Sequence, residues 1–170
     1  NMRGTGKYVW PKERLLDYTF PDILDRMCEE FPNQYAFRYT ELDYTRTYPE
    51  FRDDVDNFAR ALIAMGVKKG DHVAIWATNI PAWYITFWAT TKIGAVLVTV
   101  NTAYKIHETE YLLKQSDTHT LVMVDSYKDS DYTAIIREIC PELASCAKGA
   151  LDSKRLPVLK NVVTVGFEME

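Results

Sequence analysis

Residues 88–104 constrain the fold more than any other stretch of this chain. An apolar, helix-like run ends at Lys92-Ile93-Gly94 and passes without a spacer into a β-branched run that stops at Asn101. Glycine suits the left-handed position at a helix end, and a short apolar run rich in β-branched residues is typical of a buried parallel strand. The sequence therefore predicts a helix that leads directly into a buried strand over 95–100.

The same stretch must be weighed as a membrane span, because residues 82–100 are almost continuously apolar or Thr. That length approaches the roughly 20 residues of a transmembrane helix. Lys92 lies in its middle, however, and Gly94 separates the helix-like half from the β-branched half. A buried helix followed by a buried strand explains both features, so we expect no transmembrane span.

Three helix starts are marked by residues that cap a helix. Thr19 and Thr47 each precede a Pro in the first turn and an acid three residues on, which is the pattern of a capping box. Asn79 precedes Pro81 in a similar way, without the acid. We expect all three side chains to accept hydrogen bonds from free amides of the first turn.

The apolar pattern alternates between helices and strands along the chain. It predicts a helix from 19, a hairpin from strands 36–41 and 45–47, helices over 47–65, 79–93, 108–115 and 132–139, and strands over 72–77, 96–100, 120–124 and 161–165. Strands that alternate with helices across short turns form parallel sheets through right-handed crossovers. The predicted fold is α/β: a parallel sheet with helices on both faces, preceded by a helix and a small β-hairpin.

Composition and cysteine usage limit the class of protein. A net charge of −4 over 170 residues argues against nucleic-acid binding through a basic face. Three cysteines without a CxxC pair indicate reduced thiols rather than disulfides or a zinc site. Residues 1–6 lack the apolar core of a signal peptide, so we expect a cytoplasmic protein. Residues 1–14 are interpreted as a flexible N-terminus, with Asn1 before Met2 as a tag remnant.

The residues alone carry few motifs with chemistry. The segment 4–7 resembles the start of a phosphate-binding loop, but no strand precedes it and no Ser or Thr follows Lys7. His107 and Glu110 lie one helical turn apart and could ligate a metal, yet acids at a helix start are more simply explained by the helix dipole. We therefore expect no metal site and no catalytic residues in this chain.

Several segments, taken in order, carry a resemblance to a known family. They are Thr-Tyr-Pro-Glu-Phe at 47–51, Met-Gly-Val-Lys-Lys-Gly-Asp-His-Val at 65–73, Asn-Ile-Pro-Ala-Trp at 79–83 and Lys-Ile-Gly-Ala-Val at 92–96. From about Leu15 onward the chain resembles the N-terminal part of AMP-forming acyl-CoA synthetases, whose superfamily also contains luciferases and peptide-synthetase adenylation domains. Residues 125–132 and 153–162 look closest to the fatty-acyl branch.

The resemblance implies an ATP-dependent ligase that converts a medium- or long-chain fatty acid through acyl-AMP to acyl-CoA. It implies ATP, Mg²⁺ and CoA as ligands of the full-length enzyme, and residues 15–170 as an N-terminal α/β subdomain that stops before the phosphate loop. We expect the isolated chain to be inactive and to bind none of these ligands well. The expected partners are the fatty acid, the remainder of the same chain and a second copy in a homodimer. The expected location is the cytoplasm, with peripheral membrane contact for fatty-acid uptake.

Lys92 is the one residue for which the resemblance implies a ligand. In relatives, a basic residue just before the Ile/Leu-Gly-Ala-Val turn approaches a CoA phosphate, and Lys is a competent partner for a phosphate. The alternative is a Lys that extends to solvent from a helix C-terminus, where a cation is favoured in any case. The same predicted helix carries four aromatic residues that could line an acyl tunnel or pack in the core. Their spacing favours core packing: Trp83, Tyr84, Phe87 and Trp88.

Two other classes of protein remain open. One is a self-contained, flavodoxin-like module that binds a nucleotide at the switch point of its sheet. The other is an interaction fragment whose exposed apolar sheet face meets the rest of its own enzyme, which is compatible with the ligase.

Overall fold

A computed structural model of the chain describes residues 16–166, so the expected flexible terminus over 1–14 lies outside the described residues. The elements are α1 (Phe20–Glu30), β1 (Tyr35–Tyr39), β2 (Tyr44–Thr47), α2 (Tyr48–Ala64), β3 (His72–Trp76), α3 (Pro81–Lys92), β4 (Val96–Thr99), α4 (Ile106–Gln115), β5 (Thr118–Met123), β6 (Ser126–Tyr127), β7 (Ser130–Asp131), α5 (Tyr132–Ile139), a 3₁₀ helix (Pro141–Ala144) and β8 (Asn161–Thr164).

The central sheet has four parallel strands in the order β4-β3-β5-β8. Because β4 and β5 lie on opposite sides of β3, right-handed crossovers place α3 on one face and α4 and α5 on the other. The helix contacts agree, since α2 packs against α1 and α3, whereas α4 packs against α5. The predicted fold class is confirmed, including the leading helix and the β1–β2 hairpin.

The hairpin is fixed to α2 by a polar cluster. The Tyr44 hydroxyl and the Arg46 guanidinium both donate to Oδ2 of Asp54, each at 2.8 Å. Burial, followed by the hydrogen bond to Asp54, raises the pKa of Tyr44, so its hydroxyl keeps the proton that it donates. The hairpin is therefore fixed to α2 by its second strand, and Tyr39 of its first strand donates to the Asn79 carbonyl after β3.

Two of the three predicted helix caps are confirmed. The Thr19 and Thr47 side chains each accept from the amide three residues on, and the acids at those positions, Asp22 and Glu50, accept from the cap amides. The third prediction is wrong, because Ile80 rather than Asn79 is the residue before α3 and no side chain caps this helix. Pro81 has no N–H and holds its predecessor in an extended conformation, so the cap falls one residue later than the Asn.

The prediction of a buried strand over 95–100 is wrong for its middle. Ala95 and Val100 are buried, but Val96 is 46% exposed and Leu97 and Val98 are half-buried. The cause is topology, because β4 pairs only with β3 and is an edge strand among the described residues. A β-branched run fits an edge strand and a central strand equally well, so the sequence pattern does not separate them.

Candidate functional site

The carboxyl end of β3 is where a doubly wound sheet would hold a ligand, because strand order reverses there. In this chain the position is closed by Trp76 and Tyr132, both 0% exposed, whose rings stack with centroids 3.8 Å apart. Trp76 Nε1 donates to the Asn101 carbonyl at 3.1 Å, and the Tyr132 hydroxyl donates to the Thr102 carbonyl at 2.7 Å. This packing weakens the flavodoxin-like alternative.

A small concavity of about 300 Å³ lies beside this pair, between the segment after β4 and the β6–β7 hairpin. Lys105 on its wall donates to the hydroxyl of Ser130 and lies 3.6 Å from a carboxylate oxygen of Asp129. No sequence pattern indicated this contact. Strands of two residues are too short for a periodic signal, and the contact joins two separate loops.

Lys92, the one predicted ligand contact, is the last residue of α3. Its Nζ donates to the carboxylate of Asp56 on α2, and the two side chains are 30% and 31% exposed. Both readings of Lys92 remain compatible with this geometry, because the ammonium lies at a helix C-terminus and also faces solvent. Lys92 lies at the amino end of β4. Trp76 and Tyr132 lie at the other end of the parallel strands, where β3 finishes.

Lys92 lies in a shallow depression between α2, α3 and the turn before β3, which we call the basic concavity. It has a volume of about 420 Å³, and its lining residues are Asp56, Ala59, Arg60, Ile63, Val67, Lys69, Lys92 and Ile93. Three of these are cations and one is an acid, although the chain as a whole carries a net charge of −4. Such a site can attract an anion to an otherwise acidic protein.

Two of these cations were not predicted from the sequence. Arg60 donates from Nη2 to Oδ1 of Asn57 at 2.6 Å. The stem of Lys69 lies over Gly94, where an added Cβ would come within 3.0 Å of Lys69 Cγ. The three cations belong to different elements, so only tertiary packing brings them together.

Glu110, which lies one helical turn from His107, has a structural partner in Arg155. Arg155 binds both carboxylate oxygens of Glu110, with Nε 2.8 Å from Oε1, and also donates to the Glu138 carbonyl. These hydrogen bonds lower the pKa of Glu110. Within residues 16–166, no group of three or more His, Cys, Asp or Glu side chains converges on a common point.

The aromatic residues of α3 pack against side chains of neighbouring elements, as their spacing favoured, but they lie outside the central core. The buried side of α3 is formed by smaller residues such as Ala82, Ile85 and Ala89. Phe87 and Trp88 instead contact Phe20 of α1, with centroid distances of 5.1 and 5.7 Å. Because α3 is apolar on all sides, periodicity could not show which side faces the sheet.

The surroundings of the three cysteines indicate a structural role for their side chains. Cys28 and Cys140 are buried and Cys146 is half-buried, and all three are free thiols. Burial raises the pKa of Cys28 and of Cys140, which keeps both protonated and makes them poor nucleophiles.

In the described part of the chain, no helix is long and apolar enough to cross a membrane.

Comparison with known proteins decides the family. A model of the family described as "AMP-binding enzyme" matches residues 24–164. The chain belongs to this AMP-binding enzyme family. The expected relationship to the N-terminal part of acyl-CoA synthetases is therefore confirmed.

Individual relatives of this chain carry related names. YngI of Bacillus subtilis (strain 168), named as an acyl-CoA synthetase, is 43% identical over 152 residues, or 89% of this chain and 28% of its own. The "Medium-chain acyl-CoA ligase ACSF2, mitochondrial" of Rattus norvegicus is 34% identical over 89% of this chain and 25% of its own. The chain thus spans about a quarter of the length of these relatives.

A solved structure supports the fold. The chain superimposes on a "Mycobacterium tuberculosis fatty acyl CoA synthetase" with a TM-score of 0.72, covering 86% of this chain and 26% of the other. The sequences are 20% identical, so this match bears on the fold alone.

Proposed function

We propose that the protein containing this chain is an ATP-dependent, AMP-forming ligase that converts a medium- or long-chain fatty acid to its acyl-CoA. The observation that carries the proposal is the family match over residues 24–164, together with relatives at 43% and 34% identity that are named as acyl-CoA synthetase and ligase. The test is acyl-CoA formation by the full-length protein with octanoate, dodecanoate and hexadecanoate. Activity confined to short or aromatic acids would overturn the proposed substrate class.

The proposed reaction has two steps. A carboxylate oxygen of the fatty acid attacks the α-phosphorus of ATP, and the bond to pyrophosphate breaks to leave acyl-AMP. The thiol of CoA then attacks the acyl carbonyl after losing its proton, and AMP leaves to give the thioester. Both steps develop charge on oxygen, which amide N–H groups and cations stabilise in enzymes of this chemistry.

The described residues do not fit the triphosphate or Mg²⁺. The carboxyl end of β3 is closed by Trp76 and Tyr132, and the described side chains offer no convergent set of metal ligands. We therefore derive no step of adenylation from this chain. Its proposed part is to form the scaffold of the larger enzyme, so the isolated chain should be inactive and should bind ATP weakly.

Lys92 is proposed to contact a phosphate of CoA. Its support is the basic concavity, where Lys92 faces solvent beside Arg60 and Lys69. In the full-length protein, Lys92→Ala should raise the KM for CoA about ten- to hundredfold, since a charge-assisted hydrogen bond contributes about 1.5–3 kcal/mol and each 1.4 kcal/mol is about tenfold. Acyl-AMP formation should be unchanged, because CoA does not enter that step. An unchanged KM for CoA would remove Lys92 from the site.

The proposed location is the cytoplasm with peripheral membrane contact, and the proposed assembly is a homodimer. One exposed aromatic residue on each face of the sheet is available for such contacts, since Phe20 on α1 is 55% and Tyr111 on α4 is 69% exposed. Sedimentation of the full-length protein, with and without phosphatidylcholine vesicles, tests both proposals. A monomer that stays in the supernatant would contradict them.

A further inference from the structure

The ammonium of Lys92 already has an anionic partner. Its Nζ donates to the carboxylate of Asp56, and about a third of each side chain remains exposed. A phosphate that approaches from solvent must therefore compete with Asp56 for the same ammonium. Because of this competition, Lys92 binds a phosphate less tightly than an unpaired ammonium would.

Arg60 offers a second partner for Asp56. Arg60 follows Asp56 by four residues on α2, a spacing at which an acid and a cation on one helix can pair. In the structure its guanidinium donates to the neutral amide of Asn57. Among the ion pairs of residues 16–166, none involves Arg60. Asp56 can therefore change partner by a side-chain rotation.

Lys69 provides the second cation for an incoming phosphate. It lines the same concavity as Lys92, and its aliphatic stem rests on Gly94, two residues after Lys92. Its Cγ lies 3.0 Å from the place where a Cβ on Gly94 would stand, so the stem of Lys69 passes close over this turn. If Asp56 moves to Arg60, the ammonium groups of Lys69 and Lys92 both become available to one anion.

We propose that Asp56 is an exchangeable counter-ion: it holds Lys92 in the absence of CoA and moves to Arg60 when a CoA phosphate takes its place. This inference rests on the proposed role of Lys92. The exchange leaves neither Lys92 nor Asp56 unpaired, since Lys92 passes from a carboxylate to a phosphate and Asp56 passes from Lys92 to Arg60. An unpaired, half-buried charge would cost more than either arrangement.

The exchange predicts opposite effects for the two residues of α2. Asp56→Asn removes the competitor and should lower the KM for CoA about two- to fivefold, the size expected for a partly exposed ion pair. Arg60→Met removes the place to which Asp56 moves and should raise that KM by a similar factor. Asp56→Glu keeps the charge and should stay near the wild-type value.

The experiment measures the KM for CoA in thioester formation by the full-length protein, with acyl-AMP formation followed separately by ATP–pyrophosphate exchange. Asp53→Asn is the matched control, because it removes the same charge from an exposed position of α2 that does not line the concavity. In a Lys92→Ala background, Asp56→Asn should have no further effect. Exchange at the wild-type rate in each variant verifies that it is folded.

Two outcomes separate this inference from the proposal on which it rests. If Lys92→Ala raises the KM for CoA but Asp56→Asn leaves it unchanged or raises it, the exchange is overturned and the Lys92 contact stands. If Lys92→Ala has no effect on the KM, both are overturned. A lower KM in Asp56→Asn together with a higher one in Arg60→Met supports the exchange, and an unchanged KM in Arg60→Met contradicts it.

Discussion

The rings of Trp76 and Tyr132 stack with their planes 13° from parallel, and each ring also donates a hydrogen bond to the backbone after β4. The contact joins the end of β3 to the start of α5. One aromatic pair therefore fixes the segment after β4 relative to both elements, and it fills the place where many α/β sheets hold a ligand.

The hydroxyl of Tyr132 should contribute to stability independently of its ring. Tyr132→Phe leaves the Thr102 carbonyl without this donor and should lower the free energy of unfolding by about 1 kcal/mol. Tyr132→Ala also removes the buried ring and should cost about 3–5 kcal/mol. Urea unfolding measures both, with Tyr111→Phe as the control because Tyr111 is 69% exposed. Equal losses in Tyr132→Phe and Tyr111→Phe would show that the hydrogen bond does not contribute.

The two helix starts at Thr47 and Asn79 should respond differently to mutation. Thr47→Ala removes the acceptor for the Glu50 amide and should lower the unfolding free energy by about 1 kcal/mol. Asn79→Ala should change it by less than about 0.5 kcal/mol, since no side chain caps α3. Thermal unfolding of both variants makes the comparison. A loss in Asn79→Ala as large as that in Thr47→Ala would restore Asn79 as a cap.

The Glu110–Arg155 contact should make stability depend on pH. Hydrogen bonds from Arg155 lower the pKa of Glu110 in the folded state, whereas an unfolded Glu titrates near about 4.3. Stability from such a group is present above the unfolded pKa and is lost as the pH falls through the folded pKa. Wild-type protein should therefore lose its advantage over Glu110→Gln progressively as the pH falls from about 5 through the lowered pKa of the folded state.

The control for this pH dependence is Glu41→Gln, which removes an exposed acid in the hairpin turn. Its difference from wild type should change much less over the same pH range, as measured by urea unfolding at each pH. A constant difference between wild type and Glu110→Gln would contradict the account of this ion pair.

Gly94 should be harder to replace than the other glycines with positive φ. Its φ is +73° and an added Cβ would lie 3.0 Å from Lys69 Cγ, whereas Gly66, at φ +87°, has no atom within 4 Å of that position. A left-handed conformation costs a non-glycine residue about 1–2 kcal/mol. Gly66→Ala should show this cost alone, and Gly94→Ala should show a larger loss in thermal unfolding. Equal losses would mean that Lys69 adjusts freely.

The sequence was sufficient where the signal was local. Thr47 and Glu50 define the start of α2 through a pattern of four residues, and the apolar period of α2 continues to Gly66. It was insufficient where the outcome depended on neighbours in space. The residues of β4 do not reveal that this strand has one partner, and nothing local links Arg60 and Lys69 to Lys92. The family resemblance pointed to Lys92, but only the packing of α2 against α3 revealed Asp56 beside it.

Activation of a fatty acid by adenylation is the proposed activity of the protein that contains this chain. It is measured most directly as fatty-acid-dependent exchange of labelled pyrophosphate into ATP by the full-length protein, without CoA. We expect exchange with dodecanoate or hexadecanoate and none when the fatty acid is omitted. Absence of exchange with every fatty acid, in a protein shown to be folded, would contradict the proposed activity.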